Sequence, residues 1–199
     1  METVVVGNTP EEFPVHFDRH AYEADHVLVC NRVYPHTIFA GDYQSGLVKM
    51  MLQGLGKCAG ANLNHRAAVN FGFDQVARSA GAILLRETNI LAGLAVLEND
   101  GGRVARIETV PADDILSRDP KLLAEAEHAM SRLPFDEVDV LLVDEIGKHI
   151  SGTGMDTNVI GRKHDEHVGG SPGGVRRIIV RSVVDGNATG IGLADFCLQ

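Results

Sequence analysis

Basic side chains are scarce in this sequence: 18 Lys and Arg stand against 27 Asp and Glu, a formal net charge of -9 at pH 7. A general nucleic-acid binder needs a basic face to attract phosphate, so no nucleic-acid partner is expected. No run of five or more like charges occurs, which argues against a polyelectrolyte tail. Cysteine is rare as well. Cys30, Cys58 and Cys197 lie far apart with no Cys-x-x-Cys, a pattern that excludes a disulfide scaffold and suits a reduced cytosolic protein. No apolar run approaches the ~20 residues that a membrane-spanning helix needs. The opening METVVVGNTPEEF lacks the basic start and long apolar stretch of a signal peptide. The expectation is a cytoplasmic chain with no membrane partner.

What is present has ordinary globular composition, in a length of 199 residues that suits one medium domain or one domain plus part of a second. Val4 to Val6 is a short β-branched run halted by the turn cluster Gly7-Asn8-Thr9-Pro10. Residues 24–31 (ADHVLVCN) form a continuous apolar strand, and continuous rather than alternating apolarity predicts cover on both faces, as in a parallel sheet. Residues 45–55 (SGLVKMMLQGL) read as a helix, with glycines at 54, 56 and 60 serving as its C-terminal cap. A helix over 70–86 and a buried strand over 90–97 follow. Helical patterning returns over 113–116 and 120–133, with Pro120 near the start, where proline is tolerated. The clearest strand is 138–144 (VDVLLVD); a polar, glycine-rich loop runs from 151 to 174, and 177–184 is a last strand candidate. Strands alternating with helices predict an α/β fold with a largely parallel sheet and flanking helices. A boundary at the Leu-Pro-Phe junction divides the chain into domains 1–135 and 136–199; an ordinary helix-to-strand turn within one domain is the alternative.

Reactive residue types are densest between Asn31 and His65. His36 follows a predicted strand by a few residues, and loops beyond the carboxyl ends of parallel strands are where α/β proteins place ligand sites. A histidine there suits general acid–base work or is a hydrogen-bonded surface residue. Lys49 sits inside an apolar helix: desolvation there would make its amine nucleophilic, and a snorkelling lysine on the solvent face is the other reading. His65 offers an imidazole suited to nickel, zinc or iron, although one histidine does not make a metal site. The GLGKCAG glycines miss both dinucleotide and phosphate-loop spacings, and the helix precedes them, so neither assignment is made. Asp144 to His149 at the end of the best strand and the His164-Asp165-Glu166-His167 run are further polar candidates, each also readable as a solvated loop.

NRVYPHT at 31–37, SGLVKM at 45–50 and NH at 64–65, with the lysine sixteen positions before the second histidine, together resemble the nickel-pincer-nucleotide lactate racemase family and its 2-hydroxyacid racemase and epimerase homologues. VDEIGKHISGTGMD (143–156) and GNATGIGLADF (186–196) look like one branch of those homologues. The resemblance implies part of a two-domain racemase fold, with residues 1–135 as the remainder of the cofactor-binding domain and 136–199 as the beginning of a second. It implies a nickel-pincer nucleotide as cofactor, joined to the chain through Lys49 with Ser45 and Gly46 beside it, and a nickel ligand in His65. It makes His36 one of two histidines that exchange a proton with the substrate hydroxyl while hydride moves to and from the cofactor, which supplies the hard chemistry. The substrate class would be a small 2-hydroxy acid, for whose carboxylate Arg32 and Lys148 are candidates by position.

The resemblance covers only the middle of a family chain roughly twice as long. The chain is therefore expected to hold part of a site, completed by further sequence or a second chain, with a homo-oligomer as one way to bury exposed apolar surface. A non-catalytic metal- or nucleotide-binding module and an assembly subunit are the competing expectations.

Overall fold

The computed structural model describes residues 1–37, 40–152, 154–161 and 174–184. The polar run His164–His167, the GNATGIGLADF segment and Cys197 lie outside the described residues. Two compact units result: the first takes in Met1–Pro35 and Gly41–Met130, the second His36–Ala40 and Ser131–Gln199.

In the first unit, β1 (Thr3–Asn8) and β2 (Pro14–Asp18) form an antiparallel hairpin, followed by the short α1 (Arg19–Glu23), whose N-cap Asp18 accepts from Ala21 N. Next, β3 (Val27–Arg32) pairs in parallel with β4 (Ile90–Glu98), and β5 (Val104–Pro111) runs antiparallel on β4's other side. Between β3 and β4 lie α2 (Leu47–Lys49), a π-helical turn (Met50–Gly54), α3 (Lys57–Phe71) and α4 (Phe73–Glu87). After β5 comes a 3₁₀ turn (Ala112–Asp114) and α5 (Ile115–Ala129). The core is built from the inner stripes of these helices. On α4, Phe73, Val76, Ala77, Ala80, Ile83 and Leu84 are all buried, the three-and-four spacing of a helix with one apolar face. Leu47, Val48, Met51 and Leu52 from the α2 region, with Ile115 and Leu122 of α5, are essentially without solvent contact.

In the second unit, β6 (Glu137–Ile146) and β7 (Gly174–Val183) form a parallel pair. Leu141, Val143, Ile178 and Val180 pack from one face onto a small core of Ile146, Met155 and Ile160. Among the described residues no helix is long and apolar enough to cross a membrane.

The fold is mixed α/β, as expected, but in place of a single largely parallel sheet the described residues form three small sheets, one antiparallel, one mixed and one parallel pair. Continuous apolarity misled here. Leu28 at 54% and Leu142 at 65% relative exposure show that β3 and β6 are each covered on one face by the described residues rather than on both. β5 was not foreseen: its Val104, Ala105, Arg106 and Ile107 are all exposed, so it carries no alternation to read.

The helix expected over 70–86 is the end of one helix and all of another. Gly72, at φ 79°, breaks the chain between α3 and α4 in a conformation that glycine adopts without strain. The glycines at 54, 56 and 60 do not cap a helix before a loop: Gly56 is the N-cap of α3 and Gly60 lies within it. The expected helix over 120–133 begins earlier, at Ile115, and ends at Ala129, which places Pro120 inside it. Proline cannot donate to the carbonyl four residues back, that of Leu116. Tyr43 Oη donates to that carbonyl instead, at 2.6 Å.

Candidate functional site

The candidate site is assembled where β3 hands over to α2. Asn31, near the end of β3, donates from Nδ2 to Gly46 O at 2.8 Å, and Tyr34 N donates to Ser45 O at 3.0 Å. These bonds lay the NRVY segment along the head of SGLVKM and fix where the next turn starts. Leu47 then drops onto the β4 backbone: a Cβ added at Gly93 would meet Leu47 Cδ1 at 2.5 Å. Val48 packs beside Gly81 of α4, 3.3 Å from where a Cβ there would stand.

The turn's free N–H groups are met from a distance of 71 and 72 residues along the chain. Asp119 of α5, only 5% exposed, accepts from Leu47 N at 3.1 Å and from Val48 N at 3.0 Å. Burial pushes its carboxyl above the ordinary carboxylate range, and the two N–H donors pull part of the way back. Gly46 makes this approach possible, since a Cβ there would stand 2.9 Å from Asp119 Cγ and closer still to Oδ1. Ser45 and Gly46, assigned by resemblance to cofactor contact, thus hold structural bonds through their carbonyls as well.

Lys49 closes α2 half-buried. Burial lowers its amine's pKa. Among the described residues it forms no salt bridge. The chain then enters the π-helical turn, a geometry often found at functional positions. Asn64, buried on α3, donates from Nδ2 to the Leu52 carbonyl in that turn at 3.1 Å. Gly56 must lack a side chain because a Cβ would collide with the same carbonyl oxygen. Lys57 follows at φ 54°, the left-handed region, with its ammonium 3.4 Å from Asp18. Gln53, four residues beyond Lys49, places its amide Nε2 3.2 Å from His65 Nε2, within hydrogen-bond distance. His65 itself is exposed on α3.

Lys49 and His65 therefore belong to one packed segment of the first unit, linked through the π-helical turn and Gln53. His36, half-buried, belongs to the second unit, as does the exposed Lys148. Arg32 is already engaged: it pairs with Glu98 at 2.9 Å and its guanidinium lies over the Tyr34 ring at 5.0 Å. Among the described residues, no three His, Cys, Asp or Glu side chains cluster to hold a metal by themselves. The donor set would suit a nickel-pincer group that brings most of its own ligands: one amine that forms no salt bridge among the described residues, for attachment, and one exposed imidazole for the metal.

The fold is similar to that of the lactate racemase apoprotein from Thermoanaerobacterium thermosaccharolyticum, with a TM-score of 0.53 and 16% sequence identity over 72% of this chain and 34% of that one. At that identity the likeness is one of fold. This chain spans about a third of that protein's length. No family model matches the sequence, and neither does any curated protein.

Asp119 and Gln53 carry no role in the sequence pattern, and Asn64 enters it only as part of the NH pair at 64–65. Gln53 had a usable signal, its spacing of four from Lys49. Asp119 had none, because its partners lie 71 and 72 residues away.

Proposed function

We propose that this chain is the lysine- and histidine-bearing part of a 2-hydroxyacid racemase or epimerase that works with a nickel-pincer nucleotide. One observation carries the reading: a half-buried lysine that forms no salt bridge among the described residues, one π-helical turn ahead of a glutamine whose amide meets the His65 imidazole. The fold likeness to a lactate racemase supports it. In this reading Lys49 holds the nucleotide covalently and His65 gives a ring nitrogen to nickel, Gln53 turning aside. Ser45 and Gly46 lie next to the attachment point. The group, when bound, supplies a hydride acceptor and donor for the substrate's C2.

The chain's own work is proton handling and orientation. His36 exchanges the proton of the 2-hydroxyl, a task for which histidine's ordinary pKa near neutrality is suited. The half-buried setting of Lys49 keeps its amine uncharged more readily than in water, the state in which an amine acts as a nucleophile. Residues 1–135 read as the remainder of the cofactor-binding domain and 136–199 as the beginning of a second, completed by further sequence or a second copy.

A second reading is a metal- or nucleotide-binding module without turnover, since the likeness to the racemase, at 16% identity, is one of fold. The test is co-production with enzymes that make the pincer cofactor, followed by intact mass, nickel analysis and peptide mapping. A nickel-bearing adduct on Lys49 supports the proposal, and its loss in Lys49→Ala completes the argument. An unmodified chain without nickel removes it. Racemisation of a 2-hydroxy acid by the loaded chain separates the first reading from the second.

A further inference from the structure

Asp119 is an oddity of the first unit. Aspartate is seldom fully buried without a cation, yet this carboxylate is 5% exposed and forms no salt bridge among the described residues. Its two oxygens are occupied by the Leu47 and Val48 N–H groups. The usual way to satisfy such groups is a Ser, Thr, Asp or Asn at the N-cap. Here the N-cap is Gly46, which has no side chain and whose lack of Cβ is what admits Asp119. The cap is supplied from another helix.

We propose that Asp119 is the positioning residue for Lys49: it fixes the turn that carries the lysine and, by using both oxygens on backbone N–H groups, stays out of any ion pair with the amine. Three elements meet at this turn. Leu47 is seated on β4 at Gly93, Val48 beside α4 at Gly81, and Asp119 ties the backbone between them to α5. With all three in place Lys49 leaves the turn in one direction and its amine stays half-buried. Asp74 and Arg78, which meet Tyr43 just ahead of this segment, bond to one another, and Arg78 pairs with Asp42 as well. The proposal rests on the reading of Lys49 as the attachment lysine, but its test uses no cofactor.

The experiment is trace acetylation of the full chain with acetic anhydride from neutral to alkaline pH, read at Lys49 by peptide mapping against a free lysine standard. In the wild-type chain Lys49 titrates below the standard. In Asp119→Ala the turn loosens, water reaches the amine and the titration moves up towards the standard, with labelling at neutral pH falling about tenfold. Asp119→Asn, which keeps one acceptor oxygen, falls between the two. The direction of movement is decisive. A titration that moves down in a folded variant means that the carboxylate acts through its charge, and an unchanged one means that it only holds the fold; either overturns the proposal. Circular dichroism reports whether Asp119→Ala folds, and if it does not, the same criteria apply to Asp119→Asn. Failure of the attachment reading would appear as absent nickel adduct with this titration behaviour intact.

Discussion

The close approach of Asp119 to Gly46 gives a stability prediction with an internal control. Gly46 has φ -178°, extended backbone that any residue adopts, so alanine there meets no conformational strain. What it meets is the Asp119 carboxylate, with Cγ 2.9 Å from the new Cβ. Asp119 sits on α5 and cannot retreat without moving that helix, so the carboxylate must swing off the Leu47 and Val48 N–H groups. Each buried donor left without an acceptor costs about 1–3 kcal/mol, and with two of them Gly46→Ala comes to roughly 2–6 kcal/mol of destabilisation. That is a large share of the ~5–15 kcal/mol that holds a domain together. At a urea slope of about 2 kcal/mol/M, unfolding followed by circular dichroism should show a midpoint lowered by about 1–3 M with the slope unchanged. In an Asp119→Ala background the obstacle is gone. Gly46→Ala should then be neutral or stabilising by up to about 1 kcal/mol, because alanine restricts the unfolded chain. A cost below about 0.5 kcal/mol in the wild-type background, or an equal cost in both backgrounds, refutes the reasoning.

Other consequences are testable on the same protein. Lys49 has a pKa below its ordinary 10.5, so between the two values the unfolded chain binds more protons and wild-type stability rises with pH. Lys49→Met should accordingly stabilise the fold most near neutrality, with the advantage shrinking as pH approaches 10.5; an advantage constant across thermal melts at several pH values would sink this account. Asn64→Ala removes the side-chain partner of the Leu52 carbonyl and should cost about 1–2 kcal/mol in the same urea assay. Lys57→Gly relieves a left-handed residue at φ 54°, and should add about 0.5–1 kcal/mol at high salt, where the lost contact with Asp18 is screened.

The sequence showed where elements lie more readily than how they pair. The apolar runs at 24–31, 90–97 and 138–144 each contain most of a strand, Val27–Arg32, Ile90–Glu98 and Glu137–Ile146, because β-branched and leucine-rich stretches bounded by polar residues have few other options. Which faces were covered was not legible, since Leu28 and Leu142 look the same in sequence whether buried or exposed. Nor was the course of the helix begun at SGLVKM, which turns π-helical at Met50 and restarts at Lys57 under constraints from Asn64 and Gly56. At the site, the setting of Lys49 was half readable. An apolar helix with one lysine leaves open whether the amine faces water or protein, and the answer depends on α4, α5 and β4 packing over it. Asp119 was beyond reach because its role exists only once α5 docks.

The exchange between Tyr43, Leu116, Asp119, Leu47 and Val48 has a dynamic corollary. Pro120 leaves a carbonyl on α5 without its helical donor, and Tyr43 supplies one; the α2 turn has N–H groups without helical acceptors, and Asp119 supplies them. Each segment completes the other, so neither can open alone without stranding polar groups in the core. The Leu47 and Val48 amides should therefore exchange with deuterium only when α5 lifts away, at the same rate as the buried amides of that helix. The segment bearing Lys49 would then stay rigid until α5 lifts away, because a proline in that helix leaves a gap that Tyr43, just ahead of the segment, fills.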